Sequence, residues 1–484
     1  MDIHTTTADL VGELSGRVLP ASGTTKAPGA GNSGGFRSRR VPAAVEPRTP
    51  RQVADLLREY TRSGAGRIHV HPTSSGRNWG FGSAEPVADG AVVMRLHHLD
   101  RIRELDTDSG VCVVEPGVTQ GTLAARLAGT GYLLNVTASA AATSVVGNVL
   151  DRGIGLRRQR SEDLVGLEVA LADGTLARVG RWPRPGTATT PYDHPPGPNP
   201  VQLFAQSNLG VVTAAVLRLI PATETLRIVT LRLSAERFDE GLAALRGWHA
   251  NRIAAGVVKI FDAGATAAYG GPRAGGYRVF VPVAGRTALV TAACALLREE
   301  APAAGFTDCR VLDPAEDVPS VQERAALRGY AGDPRANDPM VEAVFGTSAD
   351  EADAQSRQGW LFCVPVVPFT APALRTMRGL IADAAARMPE ATVGHTLNVM
   401  PSGWVDVVVS LRFARTPATT ARAHALLDAL HRDATAAGFP PYRLDVDRMA
   451  AAAGHRGDAG QEALLRRLKT ALDPQDIIAR GRYA

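Results

Sequence analysis

Ser74-Ser75-Gly76-Arg77-Asn78-Trp79-Gly80-Phe81-Gly82-Ser83 follows directly on a short strand-like stretch, Arg67-Ile68-His69-Val70-His71. Glycine has no Cβ, so such a loop turns sharply and lets its backbone approach a ligand closely. Successive backbone N–H groups in a turn of this kind form a concave nest suited to a diphosphate. Ser74 and Ser75 add hydroxyl donors, Arg77 a charge and Asn78 an amide. The P-loop lysine is missing, which points to a dinucleotide cofactor rather than a transferable phosphate. A glycine-rich turn between strands is more commonly only a turn, so the neighbouring segments decide.

Upstream, Thr49-Pro50 predicts a helix start, with Thr49 as N-cap, Pro50 at the first helical position and Gln52 completing a capping box. Val53, Leu56, Leu57 and Tyr60 follow at helical spacing, and Gly64 ends the run. Earlier still, Gly29 to Gly34 spells GxGxxG, but no strand precedes it and no amphipathic helix follows, so it is rejected as a dinucleotide fingerprint. Residues 1–40 are expected to form a mobile extension, or one draped over the surface. Downstream, strands are predicted at Ala91 to Arg95, Gly110 to Glu115 and Val211 to Ile220, and a helix near Thr119. Ala172-Asp173-Gly174 between apolar runs reads as a hairpin. The Pro/Gly/Thr-rich stretch Arg181 to Pro200 reads as a long surface loop.

From about Leu226 strands alternate with amphipathic helices. The clearest strand is Trp404 to Phe413, with Val405, Val407, Val409, Leu411 and Phe413 on one face and Asp406, Val408, Ser410 and Arg412 on the other. This pattern predicts an antiparallel sheet with helices on one face, its second face free to cover something.

A chain of 484 residues has room for two to four domains. A hydrophobic share of 45% and a charged share of 21% are those of a globular protein able to bury large cores. The net charge of +5 is mild for this length. The basic runs Arg37/Arg39/Arg40 and Arg157/Arg158/Arg160 are not interleaved with aromatics, so no nucleic-acid surface is expected. The second run lies near the candidate site and is a candidate receiver of an anionic substrate. Cys112, Cys294, Cys309 and Cys363 are scattered, which indicates neither a zinc site nor a disulfide framework. No apolar run reaches membrane-spanning length and Met1 to Leu19 has no continuous apolar core, so a cytoplasmic location is expected. His69 and His71 share a strand face without a third ligand, and His97 and His98 are expected to point apart if they lie on a strand. No metal site is predicted.

Several separated motifs now agree: SSGRNWGFGS (74–83), VEPGVTQGTL (114–123), SVVGN (144–148) followed by DRGIG (151–155), QSNLGVVT (206–213), Pro441-Tyr442-Arg443, and DPQDIIARGRY (473–483). Together, and in this order, they resemble the vanillyl-alcohol oxidase/4-cresol dehydrogenase branch of the FAD-linked oxidases. The resemblance is weakest between about Arg227 and Gln358. It implies an α+β fold: a two-part FAD-binding domain of the p-cresol methylhydroxylase (PCMH) type with an antiparallel-sheet substrate (cap) domain. The implied boundaries are 41–222 for the FAD-binding domain, 223–440 for the cap, and 441–484 for a C-terminal segment returning to the FAD-binding domain.

The resemblance also implies the site. Ser74, Ser75, Gly76, Arg77, Asn78, Phe81, Gly82 and Ser83 would hold the diphosphate region, with Pro116 and Gly117 in a tight bend nearby. Ser139, Ser144, Asn148, Gly153 and Ile154 would line the cofactor channel, Gly210 and Val212 the adenine half, and Arg482 would keep a positive charge close by. Tyr442 and Arg443 match the pair that stabilises a substrate phenolate in the phenol oxidisers, the alternative for Arg443 being a structural salt bridge. The implied reaction is hydride transfer from a small organic substrate (an alcohol, amine or phenol-derived compound of secondary metabolism) to the flavin. The electron acceptor would be dioxygen or another carrier, and homodimer assembly is an expectation.

Three departures stand out. Phe81 replaces a second tyrosine. The stretch Thr137 to Thr143 has no carboxylate, Ser139 or Ala138 taking the place of an aspartate. Trp360 aligns with the residue that links covalently to flavin in some members, and it has no suitable nucleophile, so FAD is expected to be held non-covalently; His69, His71 and His395 are weaker candidates for another link. Asp445 and Asp447 are either a candidate base or a solvated pair. The alternative function is a flavin-binding protein with non-redox or lost chemistry that uses the cap pocket for ligand binding or rearrangement.

Overall fold

The computed structural model describes residues 6–19, 24–25, 32–63, 68–184, 190–192, 196–271 and 275–483. The helix predicted at Thr49-Pro50 runs over Pro50–Ser63, and Thr49 Oγ1 accepts the Gln52 N–H at 3.1 Å. Val53, Leu56, Leu57 and Tyr60 are all fully buried beneath it. Beside it, strands Ala44–Val45, Val92–Arg95 and Val70–Thr73 form a small parallel arrangement, with Val92–Arg95 in the middle.

The N-terminal segment departs from expectation. Thr7–Gly16 is a capped helix, and Leu10, Val11 and Leu14 are buried in the same core as the 50–63 helix. Burying each such side chain contributes about 1.5–3 kcal/mol, enough to hold a ten-residue helix in place. Ser15 and Tyr60 lock the pair through a 2.6 Å hydroxyl contact. Gly29 to Gly31 of the rejected glycine motif lie outside the described residues.

A second, fully antiparallel sheet has the strand order Ile102–Asp106, Val111–Val114, Val211–Arg218, Leu164–Ala170, Leu176–Gly180. The last two form the predicted hairpin at Asp173-Gly174. The C-terminal segment returns to the parallel sheet: the Val70 N–H donates to the Ile477 carbonyl at 2.7 Å, and the Ala479 N–H to the Val70 carbonyl at 2.8 Å. Ile477 and Ile478 are fully buried there, which fixes the position of Arg482 beyond them.

The third sheet is antiparallel, with the order Phe306–Leu312, Thr225–Leu233, Tyr277–Gly285, Val258–Phe261, Thr392–Val399, Trp404–Ala414, Gln358–Cys363. Helices Phe238–Ala250, Thr287–Glu300, Ala371–Arg387 and Pro417–Ala436 cover one face through an apolar core. Val405, Val407, Val409, Leu411 and Phe413 point into that core, as the alternation predicted. The opposite face, carrying Asp406 and Ser410, is buried as well. Three strands here, Val258–Phe261, Thr392–Val399 and Phe306–Leu312, and the helices Val321–Tyr330 and Asp338–Phe345 escape the sequence reading. The first strand is only four residues long, the second is interrupted by Gly394-His395, and the third by the polar pair Thr307-Asp308, so none presents a long periodic signal.

Candidate functional site

The glycine-rich loop is held by its own backbone. The Asn78 carbonyl accepts from the N–H groups of Phe81 (3.1 Å) and Ser83 (2.9 Å), while Gly76 and Gly80 adopt left-handed backbone angles of φ 68° and 76°. Such angles are readily reached only without a Cβ. The loop presses on the short helix Val145–Leu150: a Cβ at Gly147 would lie 2.4 Å from Ser74 Oγ, and Ser75 Oγ accepts the Ser144 N–H at 3.1 Å. Ser144 in turn caps that helix and donates to the Pro116 carbonyl at 2.6 Å.

One cavity runs from this loop to the underside of the third sheet. Ser74, Ser75, Gly76, Arg77, Asn78, Phe81, Ser83, Pro116, Ser139, Ser144, Asn148, Gly153, Ile154, Gly210, Val212, Tyr442, Arg443 and Arg482 all line it. Two expected residues stand off it. Gly82 (φ 113°) abuts Val446, where a Cβ would approach within 2.5 Å. Gly117 is packed on backbone, where a Cβ would lie 2.2 Å from the His97 carbonyl oxygen. Both pack against protein here, with no room for a Cβ.

Asp151 organises the charges. Arg443 Nη2 lies 2.8 Å from its Oδ2 and Arg482 Nη2 lies 2.5 Å from its Oδ1. Burial pushes the Asp151 carboxyl up, but the two guanidinium groups outweigh it and hold the acid below its usual range. Arg443 also hydrogen-bonds Asn78 Oδ1 and lies over the Phe81 ring, 4.2 Å from its centroid. Burial, followed by the nearby Asp406, pushes the Tyr442 phenol far above its ordinary value, so it stays protonated and able to donate. His71 also lines the cavity; burial, then Arg482, lowers it to about 3, leaving a neutral ring.

The sheet end of the cavity is aromatic. Trp360 stacks obliquely on Phe362 at 4.4 Å, and Phe345 lies 5.4 Å from Trp360 and 5.5 Å from Trp79. Tyr269 stands edge-on to Trp360 at 6.4 Å. Into this wall the third sheet places a polar row that sequence reasoning missed. Register pairs Lys259 with Asn398 and Asn398 with Asp406. Lys259 Nζ donates to Asn398 Oδ1 at 2.7 Å, and Asn398 Nδ2 donates to Asp406 Oδ2 at 2.8 Å. Burial, partly offset by Asp406, lowers the Lys259 ammonium to about 8. Burial likewise raises the Asp406 carboxyl to about 7, against the Asn398 hydrogen bond and Lys259. The one available signal was a charge set among apolar residues, Val258-Lys259-Ile260-Phe261, on too short a run to stand out.

The remaining sequence candidates fall elsewhere. Asp445 is buried against Arg448 at 2.9 Å and Asp447 pairs with Arg39 at 2.6 Å; neither lines the cavity, and Asp445 is not solvated. Arg157 donates to the Ala255 and Tyr330 carbonyls, while Arg158 and Arg160 both face Asp163, so this basic run is structural. His395 Nδ1 lies 2.9 Å from an Asp262 oxygen, off the cavity, and His69 is also off it. The loop 137–143 is clamped by Asn337 and Asp338: Asn337 Nδ2 donates to the Thr137 carbonyl at 2.9 Å, and Asp338 Oδ1 accepts the Ala141 N–H at 2.7 Å. Asp338 does not reach the cavity, so it does not replace the missing carboxylate. His97 and His98 lie in a turn rather than on a strand, so their rings do not point apart but sit 4.0 Å from each other. With Glu46 they form a cluster whose ligand atoms lie within 4.8 Å of one another.

The polar fittings of the cavity match a dinucleotide. Thr137 Oγ1, Asn148 Oδ1 and Arg443 Nε are buried there without a hydrogen-bond partner, and such groups call for a ligand. The comparisons agree. Residues 41–180 match the family model of an FAD-binding domain. The chain is 27% identical to 1'-carboxy-chondrochloren decarboxylase of Chondromyces crocatus, over 92% of this chain and 91% of that protein. It is 32% identical to the 4-cresol dehydrogenase (hydroxylating) flavoprotein subunit of Pseudomonas putida, over 37% of this chain and 35% of that one. Its fold is similar to that of 4-ethylphenol oxidase from Gulosibacter chungangensis, solved as an isoeugenol complex. The TM-score is 0.87 at 17% identity, covering 100% of this chain and 98% of the other. Among the described residues, no helix is long and apolar enough to cross a membrane.

Proposed function

We propose that this chain belongs to the FAD-linked oxidases of the vanillyl-alcohol oxidase/4-cresol dehydrogenase family and removes a hydride from a small, largely planar organic substrate held between bound FAD and the cap sheet. When bound, FAD supplies the hydride acceptor, and the protein supplies orientation and electrostatics. The observation that carries this reading is the single cavity joining Ser74–Asn78 at one end to Tyr442, Trp360 and the cap strands at the other. Residues 41–222 and 441–484 would hold the cofactor and 223–440 the substrate.

The loop Ser74–Asn78 and Ser144 offer donors to the diphosphate, Gly210 and Val212 a surface for the adenine half, and Arg482 positive charge. Trp79, Tyr269, Trp360 and Phe362 sandwich the substrate and exclude water. Tyr442 donates to a substrate oxygen, and Arg443, held by Asp151, stabilises negative charge with a planar, permanently charged donor set. Phe81 supplies no hydroxyl, so a phenolate receives one donor fewer than in the phenol oxidisers. Trp360 cannot bond to the cofactor, so FAD is held without a covalent link there. Electrons would pass on to dioxygen or another carrier.

A second reading draws on the relative matched along nearly the whole chain, which is named as a decarboxylase. If the hydride leaves from the carbon β to a carboxylate, the electrons of the C–CO2 bond form a C=C bond and carbon dioxide departs. Anaerobic mixing of the FAD-loaded protein with 4-ethylphenol, 4-hydroxybenzyl alcohol or 3-(4-hydroxyphenyl)propanoate tests both. Bleaching of the flavin band supports hydride removal, and carbon dioxide release in step with bleaching supports the second. A yellow protein bleached by no member of a broad panel of such compounds speaks for lost redox chemistry.

A further inference from the structure

We infer that the substrate carries a carboxylate and that Lys259, on the cap sheet, is the residue that binds it. The inference rests on the flavoenzyme reading only for the position of the substrate beneath the sheet.

Lys259 lies on an inner strand, between Val258 and Ile260, whose side chains enter the helix-covered core. Its own side chain emerges on the cavity side and is 8% exposed. Lysines are almost never so buried without an ionic partner. Among the described residues Lys259 makes no direct salt bridge: its hydrogen bond goes to the neutral amide oxygen of Asn398, its ammonium lies 5.5 Å from the centroid of the Phe261 ring, and Asp406 acts on it only from beyond Asn398. An ammonium has three N–H donors, so capacity remains.

The other cavity cations are already engaged. Arg443 and Arg482 share Asp151, and Arg77 pairs with Asp350. Asp406 is the acid nearest in the row, but Asn398 stands between the two, accepting from Lys259 and donating to Asp406. Asp406 Oδ1, fully buried, has no partner. The sheet therefore presents a cation and an acid, each partly satisfied, to the same cavity. Leaving a buried charge uncompensated is strongly unfavourable, and an anionic ligand removes that penalty for Lys259.

The surroundings specify a single negative charge. Phe261, Tyr269, Met340, Trp360, Phe362 and Val408 line the same cavity without adding a cation, and Gln322 Nε2, buried there without a partner, adds a neutral donor. Asp406 in its charged form would repel the second charge of a dianionic phosphate. A carboxylate on an aromatic or apolar body fits both the ammonium and the wall.

The test uses the FAD-loaded protein and two probes of nearly equal shape, 3-(4-hydroxyphenyl)propanoate and its primary amide, titrated against the flavin difference spectrum. The propanoate is expected to bind about tenfold more tightly than the amide, the discrimination usual for a hydrogen bond to a charged group. In Lys259→Met, a similar-sized apolar side chain, that ratio falls to about one while amide affinity is retained, and Lys259→Arg keeps a preference for the propanoate. A yellow wild-type protein without the preference, binding both probes alike or neither, overturns the inference. So does a preference that survives in Lys259→Met. A protein that takes up no FAD sinks the flavoenzyme reading instead, which separates the two failures.

Discussion

Arg443 and Asp151 meet at 2.8 Å with about a tenth of either side chain exposed, and the other Asp151 oxygen takes Arg482. The acid thus joins the Tyr442-Arg443 segment to the C-terminal return, two stretches far apart in sequence from residue 151. Asp151→Asn leaves two buried guanidinium groups around a neutral amide. It is expected to lower the unfolding free energy by about 3 kcal/mol, read from urea denaturation monitored by fluorescence. A change below about 0.5 kcal/mol, the range of an ordinary surface substitution, counts against this role.

Gly117 gives a contrasting case. It lies off the cavity, yet a methyl carbon added to its Cα would sit 2.2 Å from the His97 carbonyl oxygen and 2.8 Å from that of Leu99. Gly117→Ala therefore forces backbone apart and is expected to cost about 3 kcal/mol of stability. Thermal unfolding of the variant checks this. An unaltered midpoint with weakened FAD affinity alone would mean the residue serves the cofactor directly after all.

Trp360 packs within the aromatic wall and offers no nucleophile. Acid precipitation of the yellow protein is expected to release the colour into the supernatant. Colour kept in the pellet contradicts non-covalent binding and turns attention to His71, the cavity-lining imidazole among the three histidines considered.

The polar row makes a pH signature. Asp406 is raised from 3.8 to about 7, so between these values the folded state keeps a proton that the unfolded chain has released, and stability falls as pH rises through that window. Lys259 is lowered from 10.5 to about 8, so above 8 the folded state has shed a proton that the unfolded chain keeps until 10.5, and stability rises across that window. Together they weaken the fold most between about pH 7 and 8. Unfolding free energy measured against pH for the wild type, Asp406→Asn and Lys259→Met should show each slope flattened in its own variant. Parallel curves for all three would contradict this.

Much of the architecture was legible in the chain. Thr49-Pro50, Thr119, Thr370 and Thr416-Pro417 all begin helices, because a hydroxyl at the N-cap meets an orphan backbone donor whatever the tertiary context. The alternation of Trp404 to Phe413 located both faces of its strand. The N-terminal helix went unread because a lone ten-residue amphipathic segment is marginal until packing supports it, and here Leu10, Val11 and Leu14 find the 50–63 helix.

The linear chain by itself determined the glycine-rich loop, the helix starts and the alternating strand, since capping, chain reversal and side-chain periodicity act over a few residues. Only the tertiary structure decided which charges meet. Asp151 reaches Arg443 across 292 positions and Lys259 reaches Asn398 across 139. Strand register and the packing of distant segments set those encounters, and no local preference encodes either one.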